Sequence, residues 1–230
     1  KLMMKEKRKF KLKFDFWTIV TLVIALIFLV FFIYPLFSLF ISGFKDATTG
    51  EFTFANFIKF FEKKYYYSAL RNSFIVTICV TVLAILIGAP LAYINTAFNI
   101  KGKKLIEVLV IISMLSPPFI GAYSWVLLCG RSGVITKFVQ NNLGITLPPI
   151  YGFAGILLVF TLKLYPFIYL YVSGALKKID VSLLEAAESL GCKPIKKIAT
   201  VILPLILPTL LAGSLLVFMN ALADFGTPML

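Results

Sequence analysis

Five long apolar runs constrain this chain more than any other feature. A helix needs about 20 consecutive apolar residues to cross a bilayer, and Phe16–Ile41, Asn72–Thr96, Leu105–Leu128, Tyr151–Leu176 and Ile198–Leu222 each reach that length. No water is available there to unpaired backbone groups, so such runs fold as internally bonded helices. The first run is too long for a signal-peptide core. Gly88 and Pro90 predict a kink near the end of the second, Ser116-Pro117-Pro118 interrupts the third, and Pro204 and Pro208 fall inside the fifth. Of the 230 residues, 60% are apolar and 14% charged, where a soluble domain carries about a quarter charged residues. The expected fold class is an all-α integral membrane protein with five spans.

The charges orient these spans. The chain has 23 Lys and Arg against 10 Asp and Glu, a formal +13. Seven basic residues fall in 1–15, three in 96–104 and five in 177–197, while 43–71 holds five and 129–150 two. The first side thus has 15 in 45 positions and the other 7 in 51. Basic residues concentrate on the cytoplasmic side, so the N-terminus and the 177–197 loop are expected there. A nucleic-acid binder would line one face of a polar domain with its basic residues. Here they flank apolar runs, so the partner is the lipid membrane and no nucleic acid.

The chain has no histidine, which excludes His-dependent triads, His metal sites and imidazole acid–base catalysis. Cys79, Cys129 and Cys192 are widely spaced, with no C-x-x-C, so neither a disulfide framework nor a zinc site is indicated. They are read as small packing residues, and no metal site is expected.

The organisation follows: a basic cytoplasmic N-terminus (1–15), a first transmembrane helix (16–42), an external segment (43–71) and a core (72–230). In the external segment, Phe52, Phe54, Phe57, Phe60 and Phe61 fit either an interfacial amphipathic helix or an aromatic belt, with Tyr65-Tyr66-Tyr67 at headgroup level. Gly130–Pro149 reads as a loop with one short helix around Ile135–Asn141. The chain starts without Met and stops directly after a span, which suggests a piece of something longer.

The segment 177–204 is unlike an ordinary connector. Ser182 followed by Glu185 makes a capping-box pattern. Leu183, Leu184, Ala187 and Leu190 recur at helical spacing, Gly191 sits where a glycine ends a helix, and Pro194 can open a second one. A capped helix, a glycine turn and a second helix leading into the fifth span are expected. Two readings fit: a docking surface for a protein, bearing Glu185 and Glu188, or an amphipathic helix on the inner leaflet.

The stretch EAAESLGCKPIKKIATVILP, from Glu185 to Pro204, resembles the EAA loop of binding-protein-dependent ABC importer permeases, with Gly191 and Leu203-Pro204 at that family's spacing. The resemblance covers residues 67 to the end, and the first span is typical too. It implies a type I ABC importer transmembrane bundle in the bacterial cytoplasmic (inner) membrane, with residues 177–204 as the coupling loop. Carried over residue by residue, Glu185, Ala186, Ala187, Glu188 and Gly191 would dock on an ATPase. That ATPase dimer would bind the ATP and Mg, since no G-x-x-x-x-G-K-[ST] phosphate loop occurs here and no cofactor belongs to this chain. A second permease unit (homodimer or tandem half) and an extracytoplasmic substrate-binding protein are the other implied partners. The chain would not be an enzyme.

The 220–228 stretch, Asn220 through Ala223-Asp224-Phe225-Gly226-Thr227-Pro228, resembles a segment of ferric-iron-type permeases; polyamine, 2-aminoethylphosphonate and thiamine permeases form a related group. Ferric permeases often join two tandem units, and this chain would match the first without its last span. Lys163 is the lone basic residue in mid-span. An ammonium there costs about 2.5–3.5 kcal/mol on insertion scales, so it needs a partner or a wet cavity. It fits a translocation path favouring an anion or anion-chelated metal, or a structural ion pair, or a snorkelling side chain. Asp224 fits a receptor contact, a gate, or a helix-end charge. Ser116 and Tyr123 fit a broken helix lining the path, or a packed kink. A membrane-embedded enzyme would need convergent reactive groups at one depth, and a secondary transporter would have no use for the EAA loop.

Overall fold

Apolar runs with their polar residues confined to the ends dictate helices, and the computed structural model is built of them. It describes residues 15–46, 49–115, 117–146, 150–224 and 226–229. These divide into two compact units, one ending at Ala69 and the other beginning at Leu70.

In the first unit, the Asp15 carboxylate accepts from the Phe16 N–H at 2.8 Å and starts helix α1, Phe16–Phe28. A π-helical turn, Leu29–Ile33, joins it to α2, Tyr34–Gly43. Pro35 explains the turn. A helical proline has no N–H and presses on the carbonyl four residues back, here Phe31, and one widened turn relieves both. Beyond α2, the Asn56 side-chain amide donates to the Gly43 and Lys45 carbonyls at 3.2 and 2.9 Å. This holds α3, Ala55–Glu62, beside Phe44, whose ring meets Phe54 and Phe57 at 5.6 and 4.9 Å. Of the five phenylalanines, Phe57, Phe60 and Phe61 lie on α3, and Phe52 and Phe54 precede it.

The second unit is organised by α4 (Lys64–Ala97, continuing from the first unit), α8 (Phe153–Leu176) and α11 (Leu203–Ala223). On α4 the buried residues Thr77, Val80, Ala84, Gly88, Ala92 and Asn95 recur every three or four positions, one stripe along the helix. Small residues in that stripe let backbones approach. A Cβ on Gly88 would lie 2.7 Å from the Tyr165 carbonyl oxygen and 2.8 Å from the Ile168 Cβ, and one on Gly213 would lie 3.1 Å from the Tyr171 Cβ. α4 continues past Pro90, so Gly88 serves helix contact and not a helix end. Across the same contact the Asn95 amide donates to the Tyr169 hydroxyl at 2.5 Å, and the Thr96 and Ser173 hydroxyls lie 3.4 Å apart.

The third expected span is interrupted where the sequence places the break. It is realised as two 12-residue helices, α5 (Lys103–Met114) and α6 (Pro118–Cys129), each about 18 Å long and so too short to cross alone. The cause is Pro117-Pro118: neither residue has an N–H to give, and each proline disfavours a helical residue before it. Among the described residues, four helical stretches are long and apolar enough to cross a membrane: Phe16–Gly43, Lys64–Ala97, Phe153–Leu176 and Pro194–Met229. The short helix expected in the following loop is α7, Val134–Leu143.

Candidate functional site

The 177–204 segment folds as a helix, a turn and a second helix. Its first helix, α9, covers Val181–Ser189. The cap differs from the expected Ser182–Glu185 box. Asp180, in extended backbone, accepts from the Ser182 N–H at 2.9 Å, and Ser182 lies inside the helix. A carboxylate two residues earlier offers a charged acceptor to the free amides, stronger than a hydroxyl. Hydrogen bonds from Ser182 hold the Asp180 carboxyl below the usual carboxylate range.

That lowering has a sign. A carboxyl depressed in the folded state contributes stability above its unfolded pKa and loses it as pH falls through the folded value. Hydrogen exchange should show the first α9 amides protected at neutral pH and progressively exposed below about pH 4. Asp180→Asn, which keeps an acceptor but cannot titrate, should abolish the pH step; an unchanged step would reject this cap.

At the far end Gly191 adopts φ +74°, a left-handed conformation that favours glycine. Its N–H donates to the Glu188 carbonyl at 2.9 Å and the Cys192 N–H to the Ala187 carbonyl at 3.0 Å, the paired bonds of a Schellman turn. Lys193 is extended, and Pro194 opens α10, Pro194–Lys197. A second π turn, Ile198–Ile202, then leads into α11. It precedes Pro204 as the first precedes Pro35, and for the same reason. Lys197 Nζ pairs with the Glu188 carboxylate, tying α9 to α10.

Of the proposed docking residues, Glu185, Ala186 and Glu188 are exposed and Ala187 is half-buried. Leu184 turns the other way: with Val181 it lines a cavity of about 260 Å³ against Tyr93, Thr96, Leu176 and Ile202. α9 thus rests on the ends of α4 and α8 with its carboxylates outward. Leu190 and Ile195 flank the turn with 88% and 83% of their surface exposed.

The mid-span cation has a partner. Lys163 Nζ lies 2.5 Å from Asp224 Oδ2, with the carboxylate side chain only 9% exposed. Asp224 also accepts from the Thr227 N–H at 2.9 Å and from its hydroxyl at 3.2 Å. Asp224 follows the end of α11, and its one carboxylate accepts from Thr227 in the short helix α12 (Gly226–Met229) and pairs with Lys163 of α8. Lys163 also lines a cavity of about 380 Å³ with Ser113, Pro117, Trp125 and Tyr165. Tyr123 and Asn220 are not brought to this pair: Tyr123 is exposed, and the Asn220 amide donates to the Leu216 carbonyl of its own helix. Ser116 lies outside the described residues. Sequence reasoning passed over the Asn95–Tyr169 bond, because no spacing rule links residues 74 positions apart.

These elements define a class: a multi-pass helical membrane protein with a helix–glycine–helix loop resting on the ends of two long helices. The chain belongs to the family described as binding-protein-dependent transport system inner membrane components, whose model matches residues 81–228. That family is a transport component and not an enzyme. A ferric transport system permease protein of Actinobacillus pleuropneumoniae is 29% identical over 193 residues, 84% of this chain and 28% of that protein. A protein of Salmonella typhimurium named for 2-aminoethylphosphonate transport is 27% identical over 192 residues, 82% of this chain and 67% of that protein. This chain spans less than a third of the ferric relatives it matches. In fold, it matches a chain of a bacterial ABC transporter that imports the acidic polysaccharide alginate, with TM-score 0.68, 20% identity, and coverage of 92% of this chain and 79% of that one.

Proposed function

We propose that this chain is the membrane-crossing permease unit of an ATP-driven importer, and that α9 is the helix through which a separate ATPase drives it. The observation that carries this reading is the α9 element itself. A capped helix ends in a Schellman turn at Gly191, is tied by Lys197, and presents Glu185, Ala186 and Glu188 outward. Exposed Leu190 and Ile195 beside it supply the apolar contact a docking partner would cover. The ATPase dimer holds ATP and Mg, a second permease unit completes the pathway, and an external binding protein delivers the solute. Residues 1–15 and the α9 loop lie on the cytoplasmic side, by the distribution of basic residues.

Ferric iron is the leading cargo, supported by the ferric relatives and by Ala223-Asp224 with Gly226-Thr227-Pro228. The relative named for 2-aminoethylphosphonate favours a second cargo on the same fold. Titrating the transporter's own binding protein with both decides between them. The permease reading is tested by co-purification: an ATPase should accompany the native complex and be lost on Glu185→Ala. An intact complex that never holds an ATPase would overturn it.

A further inference from the structure

We infer that Lys101, Lys103, Lys104 and Lys178 hold the phosphate of an anionic phospholipid whose acyl chains lie along α5. This goes beyond the permease reading and rests only on the chain's membrane location.

One ion pair builds the headgroup site. The Lys177 ammonium donates to the Glu107 carboxylate at 3.0 Å, which ties the second turn of α5 to the end of α8. Lys103 and Lys104 stand one turn before Glu107 on the same side of the helix. Lys101 precedes them in the turn, and Lys178 follows Lys177. Five lysines are thus gathered at one end of two packed helices, beside two carboxylates. Glu107 is taken by Lys177, and Asp180 accepts from the Ser182 N–H. Among the described residues the ion pairs are Lys163–Asp224, Lys177–Glu107 and Lys197–Glu188, so the other four lysines of the cluster have none. Each offers an ammonium with three donors, the match for phosphate oxygens.

The flank of α5 decides what the phosphate is attached to. Ile106 and Val110 pack into the core. Leu105, Leu109 and Ile112 recur at helical spacing on another face, with 62%, 56% and 56% of their surface exposed. In an inner membrane component, hydrocarbon covers such a face. Phe98, exposed at the same end with its ring 6.1 Å from Tyr93, marks the headgroup level. The lysines therefore sit at headgroup depth, at the end of an apolar stripe that continues into the bilayer. A soluble anion would meet the lysines and leave the stripe bare. A zwitterionic lipid would cover the stripe but bring its own cation against the lysines. An anionic phospholipid satisfies both.

Native mass spectrometry of the intact complex, titrated with phosphatidylglycerol and with phosphatidylcholine, tests this. Phosphatidylglycerol should bind about tenfold more tightly or better. Lys101→Gln/Lys104→Gln/Lys178→Gln should remove that preference, and arginine at the same three positions should keep it. Lys59→Gln/Lys64→Gln/Lys137→Gln, which removes as many exposed charges from other loops, should leave it unchanged. Glycerol phosphate, a headgroup without chains, should not displace the lipid at equal concentration. Equal binding of the two lipids by the unsubstituted complex, or an equal loss in the Lys59/Lys64/Lys137 variant, would overturn the inference. Displacement by glycerol phosphate would overturn it too, by assigning the lysines to a soluble phosphate.

Discussion

Gly191→Pro is expected to abolish coupled transport while leaving the membrane bundle folded. Proline fixes φ near −65°, where this position needs +74°, and it removes the N–H that bonds the Glu188 carbonyl. The Schellman turn cannot form, so α9 loses its stop and α10 its entry angle. A Cβ at Gly191 would meet nothing within 4 Å, so the damage comes from the backbone and not from crowding. Gly191→Asn, which tolerates left-handed backbone, should keep most activity. Gly191→Val should fall between, since an L-residue there costs roughly 1–2 kcal/mol, about a tenfold change in any equilibrium that depends on the turn. ATP-driven uptake in proteoliposomes, normalised to assembled complex, reads the series. An unaffected Gly191→Pro would mean that the turn has no part in coupling.

Gly88→Val should have the opposite profile, destroying the bundle before coupling can be assayed. The added Cβ would sit 2.7 Å from a backbone oxygen of α8. Backbone cannot swing aside as a flexible side chain does, so α4 and α8 must separate along the stripe that includes Ala84 and Ala92. Overpacking costs about 1–3 kcal/mol where neighbours can adjust; here the adjustment also stretches the Asn95–Tyr169 bond at 2.5 Å. Thermal unfolding in detergent should show a large drop in midpoint, or no folded protein at all. Gly88→Ala adds the same Cβ and should also lower the midpoint, less than Gly88→Val, and a neutral Gly88→Val would contradict the close crossing.

The contrast between these glycines shows what the sequence makes legible. Gly191 was readable because its signal is local: periodic leucines, a glycine one turn on, then Pro194. The role of Gly88 was not, because beside Pro90 it reads as part of a kink, and only the neighbouring helix shows that it admits Tyr165 and Ile168. Length and hydropathy located the long helices. They read 105–128 as one run interrupted at Ser116-Pro117-Pro118, and the helices divide there, α5 ending at Met114 and α6 opening at Pro118. Asp180 was overlooked in favour of Ser182, since both are capping residues and spacing alone does not choose between them. Lys163 and Asp224 were each singled out, yet their pairing joins two helices 61 positions apart, beyond any local pattern.

The outer face of α9 is expected to meet an ATP-hydrolysing chain. A photo-crosslinking amino acid at exposed Ala186, in intact cells, tests it most directly. The captured protein should carry a nucleotide-binding phosphate loop, and the same probe at exposed Phe138 in α7 should not capture it. Capture of lipid alone at position 186, or of the same ATPase from Phe138 and not from Ala186, would contradict it.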